Sequence, residues 1–326
     1  MFFSIINGVF STMIDTSLSC SVVIPVFNGS DTIIELVERL TNTLSDISSN
    51  YEIILVNDGS PDNSWQVIQN LALKDPAHII GINLKRNFGQ HNALLCGVRA
   101  ANNEVVITMD DDLQHPPEEI TKLLDHLQTG YDVVYGLPSK MPHSAWRNFF
   151  SWFTKRTLAR VMGVKTIRDI SSFRAFYTSI RDAFINFQSP SVILDVLLSW
   201  GTNRFGTVKV NEEPRQQGHS NYNFLSLASQ ALLILTGFST IPLRFATMVG
   251  FFFIFFGLAI FLYVLVATLA AGSIPGFPFL ASIISIFSGV QLFSLGLIGE
   301  YLGRIFDRSM ERPPYVVDET TQKELL

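Results

Sequence analysis

From Phe245 to Ala271 no residue carries a charge. A helix needs about 20 apolar residues to cross the hydrocarbon of a bilayer, so this run suffices with some tilt. A turn, GSIPGFP, follows, and Phe277–Gly299 forms a second apolar run with Gln291 its most polar member. A buried core hairpin is a poor alternative for two runs of this length. Arg244 precedes the pair, and Arg304, Arg308 and Arg312 follow it. By the positive-inside rule both outer ends lie in the cytoplasm. The expected layout is an extension over 1–20, a soluble domain over 21–222, a juxtamembrane amphipathic helix over 223–240, a two-span region over 241–303 and a cytoplasmic tail over 304–326.

Composition agrees with that division. Of 326 residues 48% are hydrophobic and only 16% charged, and the apolar excess follows Ile241. A net charge of −5 gives no reason to expect nucleic-acid binding. Cys20 and Cys96 make neither a disulfide framework nor a zinc pattern, which fits a reducing compartment. The first 20 residues are apolar but lack Lys and Arg, unlike a secretory signal.

Ahead of the spans, Ser21–Phe27, Tyr51–Asn57, His78–Asn83, Glu104–Met109 and Tyr131–Tyr135 are short β-branched runs separated by helix-like segments. Arg204–Val210 reads as another strand. That alternation predicts an α/β fold, a mostly parallel sheet with helices on both faces. Ligands bind such sheets at the carboxyl ends of the strands. Those ends carry Asn28, Asp58, Lys85–Arg86 and Asp110–Asp112.

The fourth run ends in VITMDDDLQHPP, with three like charges side by side. On an extended backbone Asp110 and Asp112 share one side and Asp111 points away. Two converging carboxylates suit a hard cation such as Mg²⁺ or Mn²⁺, with Gln114 offering another oxygen and a diphosphate the rest. Such a D-x-D is also a common solvated turn. VNDGSPDNS is a β-turn in either case, and Asp58 within it is a candidate for ribose hydroxyls or base nitrogens.

Between Val133 and Arg168 there is no acid but there are seven bases: Lys140, Arg147, Lys155, Arg156, Arg160, Lys165 and Arg168. Trp146, Phe149, Phe150 and Phe153 fall at helical spacing. The segment 143–163 reads as a basic amphipathic helix on anionic lipid, with Arg147, Lys155, Arg156 and Arg160 towards the headgroups. The alternative is a helix packed on the sheet.

Together SVVIPVFN, VNDGSPDNS, NFGQHNALLCG, MDDDLQHPPEEI, RDISSFRAF and GLIGEYLGRIF resemble the family 2 glycosyltransferases of GT-A fold. Within them the chain is similar to the dolichyl-phosphate mannose synthase-like branch and its bacterial undecaprenyl-phosphate sugar transferases. The resemblance covers roughly Ser21 to Tyr315. It implies a nucleotide-sugar donor, UDP before GDP, with Pro25, Phe27, Asn28, Asp58, Lys85, Arg86, Asp110, Asp111 and Arg215 on the donor side. It implies a polyprenyl-phosphate acceptor near Asp169, Arg168, Ser172 and Arg174. Asp169, Asp112 and Arg174 would be the catalytic set, and displacement would invert the anomeric carbon. Homo-oligomers are a further family trait. Three positions depart from the family pattern. Gly29 stands where P-V-Y-N-E has Glu, D-A-D is D-D-D, and Asn221 replaces a Lys of the donor-closing loop, leaving Arg215 and His219 to compensate. The expected function is metal-dependent sugar transfer to a polyprenyl phosphate, for cell-envelope glycan or lipopolysaccharide. The rivals are a processive polysaccharide synthase, whose Q-x-x-R-W is absent, and a non-catalytic scaffold of the same fold.

Overall fold

The apolar runs become strands because both of their faces are covered. A computed structural model describes residues 18–48, 50–138, 170–213, 241–271 and 276–322. Strands β1 (Cys20–Val26), β2 (Tyr51–Asn57) and β4 (Val105–Thr108) are buried at every residue, and β3 (Ile79–Leu84) at all but one. The pairs β1–β2, β2–β3 and β1–β4 are parallel. Helices α1 (Ile33–Ile47), α2 (Ser64–Lys74) and α3 (Gln90–Ala100) provide the crossovers. On α1 the residues Ile33, Leu36, Val37, Leu40, Leu44 and Ile47 are buried, one stripe at helical spacing.

After β4 come α4 (Ile120–Leu127), β5 (Val133–Pro138), β6 (Arg174–Tyr177), α5 (Leu194–Gly201) and β7 (Phe205–Val210). Strand β6 runs antiparallel between β4 and β5, and β7 is parallel to β5. Eight strands line up as β7-β5-β6-β4-β1-β2-β3-β8. Strand β8 (Val317–Thr320) pairs antiparallel with β3 from the far end of the chain. Its sequence, VDET, carries no apolar run, and the sequence pattern predicted no strand there.

What fixes β8 is its contacts with the β3 edge. The Trp65 indole donates to Glu319. The Gly81 N–H donates to Thr321 Oγ1 at 2.9 Å, and Lys85 Nζ lies 3.2 Å from Asp318. Just before β8, Tyr315 lies under the Arg99 guanidinium, 5.7 Å from ring centroid to Cζ.

The long helices α6 (Ile241–Ala271) and α7 (Phe277–Ser309) form a separate unit, whereas Pro313 onward belongs with the sheet. Phe253 of α6 meets Phe287 of α7 edge to face at 5.6 Å. Outside that seam Phe251, Phe252, Phe255, Leu292, Phe293 and Leu295 are exposed. Among the described residues one window, Leu243–Ile260, is long and apolar enough to cross a membrane, and only 6% of it is buried. A soluble core helix would bury far more. The amphipathic segments expected over 143–163 and 223–240 lie outside the described residues.

Removing residues 313–326 should expose the β3 edge and leave the Trp65 indole without its acceptor. An open strand edge is a template for aggregation. The truncated protein should melt at a lower temperature and scatter light more than the full chain. An unchanged Tm would show that β8 contributes nothing to the sheet.

Candidate active site

Strand order reverses beside β1: the chain moves outward through β2 and β3 on one side and returns to β4 on the other. A crevice opens at the carboxyl ends at such a point. The loop after β1 is tied down on its β2 side. The Asn28 N–H donates to Ser60 Oγ at 3.2 Å, Gly29 N–H to Ser64 Oγ at 3.0 Å and Ser30 N–H to Asp62 Oδ2 at 3.2 Å. Asn28 takes the left-handed backbone, φ 58°, that its short amide tolerates. Phe27 is 47% exposed, a large apolar side chain at the carboxyl end of β1. Pro25 lies within β1.

The acidic stretch is not an extended strand. Strand β4 stops at Thr108, the chain bends over 111–113, and Leu113 has φ 59°. The expected side-by-side geometry of Asp110 and Asp112 is therefore replaced by three separate settings. Asp110 accepts from Ser172 Oγ at 2.7 Å and from Gln90 Nε2 at 2.5 Å. Asp112 Oδ1 accepts the Gln114 N–H at 3.1 Å. Asp111 Oδ2 is shut off from solvent, with no hydrogen-bond partner among the described residues. Burial raises the Asp110 pKa; the Ser172 hydrogen bond opposes this, the Asp112 charge adds to it, and His115 and Arg174 counter it. Burial and the neighbouring Asp110 charge push Asp111 up to about 7, against the pull of the Phe27 backbone N–H. All these groups offer oxygen. Two carboxylates with substrate phosphates and water suit Mg²⁺ or Mn²⁺, which seldom use an all-protein cage. Among the described residues no group of three His, Cys, Asp or Glu is gathered closely enough to hold a metal ion by itself.

Arg174 does not reach out to an acceptor phosphate as the sequence suggested. Its side chain is 2% exposed and ion-paired with Asp195 of α5. Its Nε donates to Thr108 Oγ1 at 2.9 Å, and the Tyr135 hydroxyl donates to the same Asp195 oxygen at 2.9 Å. The Asp195 charge keeps the guanidinium protonated although burial pulls the other way. Thr108 in turn donates to the Ser172 carbonyl at 2.7 Å. The Ser172 hydroxyl is likewise turned onto Asp110 rather than outward.

Three residues expected on the donor side have partners within the protein. Asp58 is buried, and its two oxygens accept the N–H groups of Phe88 at 2.7 Å and Gly89 at 2.8 Å, so it braces the loop after β3. Lys85 pairs with Asp318 of β8, and the Arg86 guanidinium lies over the Phe88 ring at 4.4 Å. On the far side, residues 211–213 are clamped to the loop that follows the acids. The Glu213 N–H donates to the Gln114 carbonyl at 2.9 Å, Asn211 Nδ2 to Glu119 at 3.0 Å, and Arg39 joins Glu118 to Glu213. Asp169, Arg168, Arg215, His219, Asn221, Arg147, Lys155, Arg156 and Arg160 lie outside the described residues.

A family model, Glycosyl transferase family 2, matches residues 21–184. A curated relative from Pseudomonas fluorescens (strain SBW25) is 33% identical over 93% of this chain and 90% of its own length. It is named undecaprenyl-phosphate 4-deoxy-4-formamido-L-arabinose transferase. A relative of the same name from Shewanella sediminis (strain HAW-EB3) is 34% identical over 92% of this chain and 91% of its own length.

The chain belongs to glycosyl transferase family 2.

This glycosyltransferase shares its fold with glucosyl-3-phosphoglycerate synthase from Mycobacterium tuberculosis, solved with Mn²⁺, UDP-glucose and phosphoglyceric acid. That likeness has a TM-score of 0.50 at 16% identity and covers 67% of this chain and 78% of that one. The family and α/β fold expected from the motifs are thus established. The sequence did not reveal Gln90, Thr108, Tyr135 or Asp195 as parts of the site. Asp195 was the most legible of them, as the one acid in the apolar stretch VILDVLLSW.

Asp195→Ala should be far more damaging than a surface substitution, because it leaves a buried guanidinium without its counter-charge. Breaking such a pair costs about 3–5 kcal/mol. The expected result is a clear fall in Tm of the purified glycosyltransferase. The double variant Arg174→Met/Asp195→Leu should recover part of that loss, and equal Tm values for the single variant and the wild type would contradict the pairing.

Proposed function

We propose that this glycosyltransferase moves a sugar from a nucleoside diphosphate donor, UDP before GDP, to undecaprenyl phosphate at the cytoplasmic face of the membrane. The observation that carries this reading is the crevice at the ends of β1 and β4. There Asp110 and Asp112 lie on the bend after β4, held by Ser172 and by the Gln114 N–H, and Phe27 at the end of β1 is exposed. The acceptor follows from the curated relatives, whose names specify undecaprenyl phosphate. The product would serve cell-envelope glycan or lipopolysaccharide.

Phe27 offers the nucleobase a flat apolar face, next to Pro25 and Asn28. Asp110, held by Ser172 and Gln90, and Asp112, held by the Gln114 amide, would hold Mg²⁺ or Mn²⁺ for the donor diphosphate. The cation, when bound, neutralises charge on the departing nucleoside diphosphate. Gln114 is the third oxygen donor we assign to it. The acceptor brings its own nucleophile. A phosphate monoester has a second pKa of about 6, so its oxygen is anionic at neutral pH and needs no strong base. We assign Asp169, Arg168 and Arg215 to steering that phosphate and the donor, and inversion to a direct displacement. Arg174 acts from beneath, as a buried charge that offsets Asp110.

The anchor is read as a hairpin. Helix α6 holds the apolar window, and we read α7, a helix of 33 residues, as the second span. The sheet contains residues from before α6 and from after α7. A chain that leaves a folded domain and rejoins it must cross a bilayer an even number of times. Arg244 and Arg304, Arg308 and Arg312 at the outer ends favour the cytoplasm for that domain. Residues 143–163 would lie on the anionic surface, with Arg147, Lys155, Arg156 and Arg160 drawing in the acceptor.

Purified protein given UDP- or GDP-sugars, undecaprenyl phosphate and Mg²⁺ or Mn²⁺ should form a glycosyl-phosphoryl lipid. EDTA should abolish the product, and Asp112→Ala should lower turnover at least 100-fold without lowering Tm. Transfer that survives chelation would remove the cation from the mechanism. Transfer to water alone, or growth of a polymer, would replace the lipid acceptor.

Reporter fusions test the anchor separately. An enzyme active only in the cytoplasm should work when fused after Leu326. One active only outside should work when inserted at Gly276. The opposite pattern would invert the topology.

A further inference from the structure

The stretch NFGQHNALLCG builds the loop after β3 and most of α3, and Gln90 at the start of that helix donates to Asp110. One side of this loop and helix is closed by the sheet and the turn after β2. A Cβ built on Gly59 in that turn would lie 2.4 Å from the Arg86 carbonyl carbon and 2.5 Å from the Asn87 nitrogen. Asp58, beside it, accepts the N–H groups of Phe88 and Gly89. The helix is fitted as closely: a Cβ on Gly97 would lie 2.3 Å from Val23 Cγ1 of β1 and 3.1 Å from Val56 Cγ2 of β2.

The other side is closed by residues that follow α7. The Lys85 N–H donates to the Val316 carbonyl at 3.0 Å, and Lys85 Nζ lies 3.2 Å from Asp318. Tyr315 meets α3 itself. Its ring centroid is 5.7 Å from Arg99 Cζ, its hydroxyl is 3.5 Å from Arg99 Nη1, and that hydroxyl also hydrogen-bonds with the buried Cys96 thiol. Arg99 is fixed from behind, because its Nη2 donates to the Phe187 carbonyl at 2.7 Å. Pro313 and Pro314 lead into Tyr315, and the locked φ of each ring keeps that approach stiff. The contacts made further along, Glu319 with Trp65 and Thr321 with Gly81, fall on α2 and the middle of β3 instead. The segment after α7 therefore has two parts. Residues 315–318 grip the loop and helix that lead to Gln90, and 319–321 grip the sheet edge.

We propose that Tyr315 is a positioning residue of the nucleotide site, the outer wall that holds α3 and the loop after β3 against the turn at Asp58. Tyr315 touches no substrate. It acts through Cys96 and Arg99 on α3, and so on Gln90 and the carboxylate that Gln90 holds. Val316 and Asp318 act on the same loop at Lys85. Groups held in place before the donor arrives do not have to be ordered when it binds, so a firm wall raises donor affinity. A residue that only stabilises the fold changes the fraction of active protein, and with it apparent kcat. A residue that positions the site changes donor KM. This role rests on the donor reading above, except for the exchange measurement below, which needs no nucleotide.

The test compares two variants of the full-length protein in detergent. Tyr315→Leu keeps apolar bulk but loses the ring and hydroxyl that meet Arg99. Glu319→Ala removes a contact of the same segment that leads only to α2. In calorimetric titration with UDP and GDP, Tyr315→Leu should weaken nucleotide binding about fivefold. In transfer assays it should raise donor KM to match, with kcat and the KM for lipid acceptor changed less than about twofold. Tyr315→Phe, which keeps the ring under Arg99, should retain at least half of the wild-type affinity. Glu319→Ala should lower Tm and leave nucleotide affinity unchanged. Hydrogen exchange without nucleotide should show faster exchange at the Phe88 and Gly89 amides in Tyr315→Leu, with the β2 amides unchanged. Wild-type affinity and exchange in Tyr315→Leu would overturn the inference, and so would an equal loss of affinity in Glu319→Ala. Failure of the wild type to bind either nucleotide would overturn the donor reading, and the exchange result would then decide alone whether Tyr315 holds the loop.

Discussion

The buried ion pair of Arg174 with Asp195 is the interaction on which the site depends. Arg174 has no water to solvate its charge, so Asp195 must neutralise it, and the Tyr135 hydroxyl completes the pairing. The arrangement then runs upward. Arg174 donates to Thr108, Thr108 to the Ser172 carbonyl, and the Ser172 hydroxyl to Asp110. Each member comes from a different part of the chain: β4, the segment before β6, β6 itself and α5. Only the antiparallel insertion of β6 beside β4 brings them together. The Arg174 charge favours the ionised form of Asp110, against burial and the neighbouring Asp112 charge.

The parallel half of the fold was legible because its strands are buried on both faces, which leaves continuous apolar runs in the sequence. Tyr51–Asn57 was placed to the residue, the next three early strands to within one residue at each end, and β5 to within three. Strands β6 and β8 were not legible, for opposite reasons. β6 holds a buried charge, Arg174, within a run of only four residues. β8 is polar and stands at the sheet edge, so only its partner strand makes it a strand. The site divided the same way. Strand ends located Asp110, Asp111 and Asp112, but spacing could not tell that the chain bends there and turns each carboxylate differently. Nor could it tell that Asp58 and Arg174 have bonds inside the protein. Those partners, Phe88, Gly89 and Asp195, are 21 to 31 residues away.

The clamp between residues 211–213 and 114–119 ties the end of β7 to the loop that follows Asp110, Asp111 and Asp112. Glu119 is central to it: it is buried, pairs with Lys122 at 2.6 Å and accepts from both the amide and the side chain of Asn211. His115 joins it from below, stacked on Phe173 with its Nε2 3.5 Å from Glu212. Both sides of the crevice are thus held by side-chain bonds to backbone. On one side Ser60, Ser64 and Asp62 hold the β1 loop. On the other, Glu119 and Arg39 hold the start of the segment after β7. A reaction between two anions needs such fixed walls, because the groups that offset charge act only if they do not relax away.

The edge pairing of β8 also sets an order in time. Leu84 ends β3, and its partner strand begins only at Val317, so the ribosome adds about 230 residues before that edge can close. At 5–20 residues per second this takes roughly ten to fifty seconds. During that interval the nascent domain carries a bare strand next to Trp65, and both long helices emerge before the strand that covers it. The last strand of the sheet is therefore made after both long helices, and the sheet is completed only when the chain beyond α7 reaches the β3 edge.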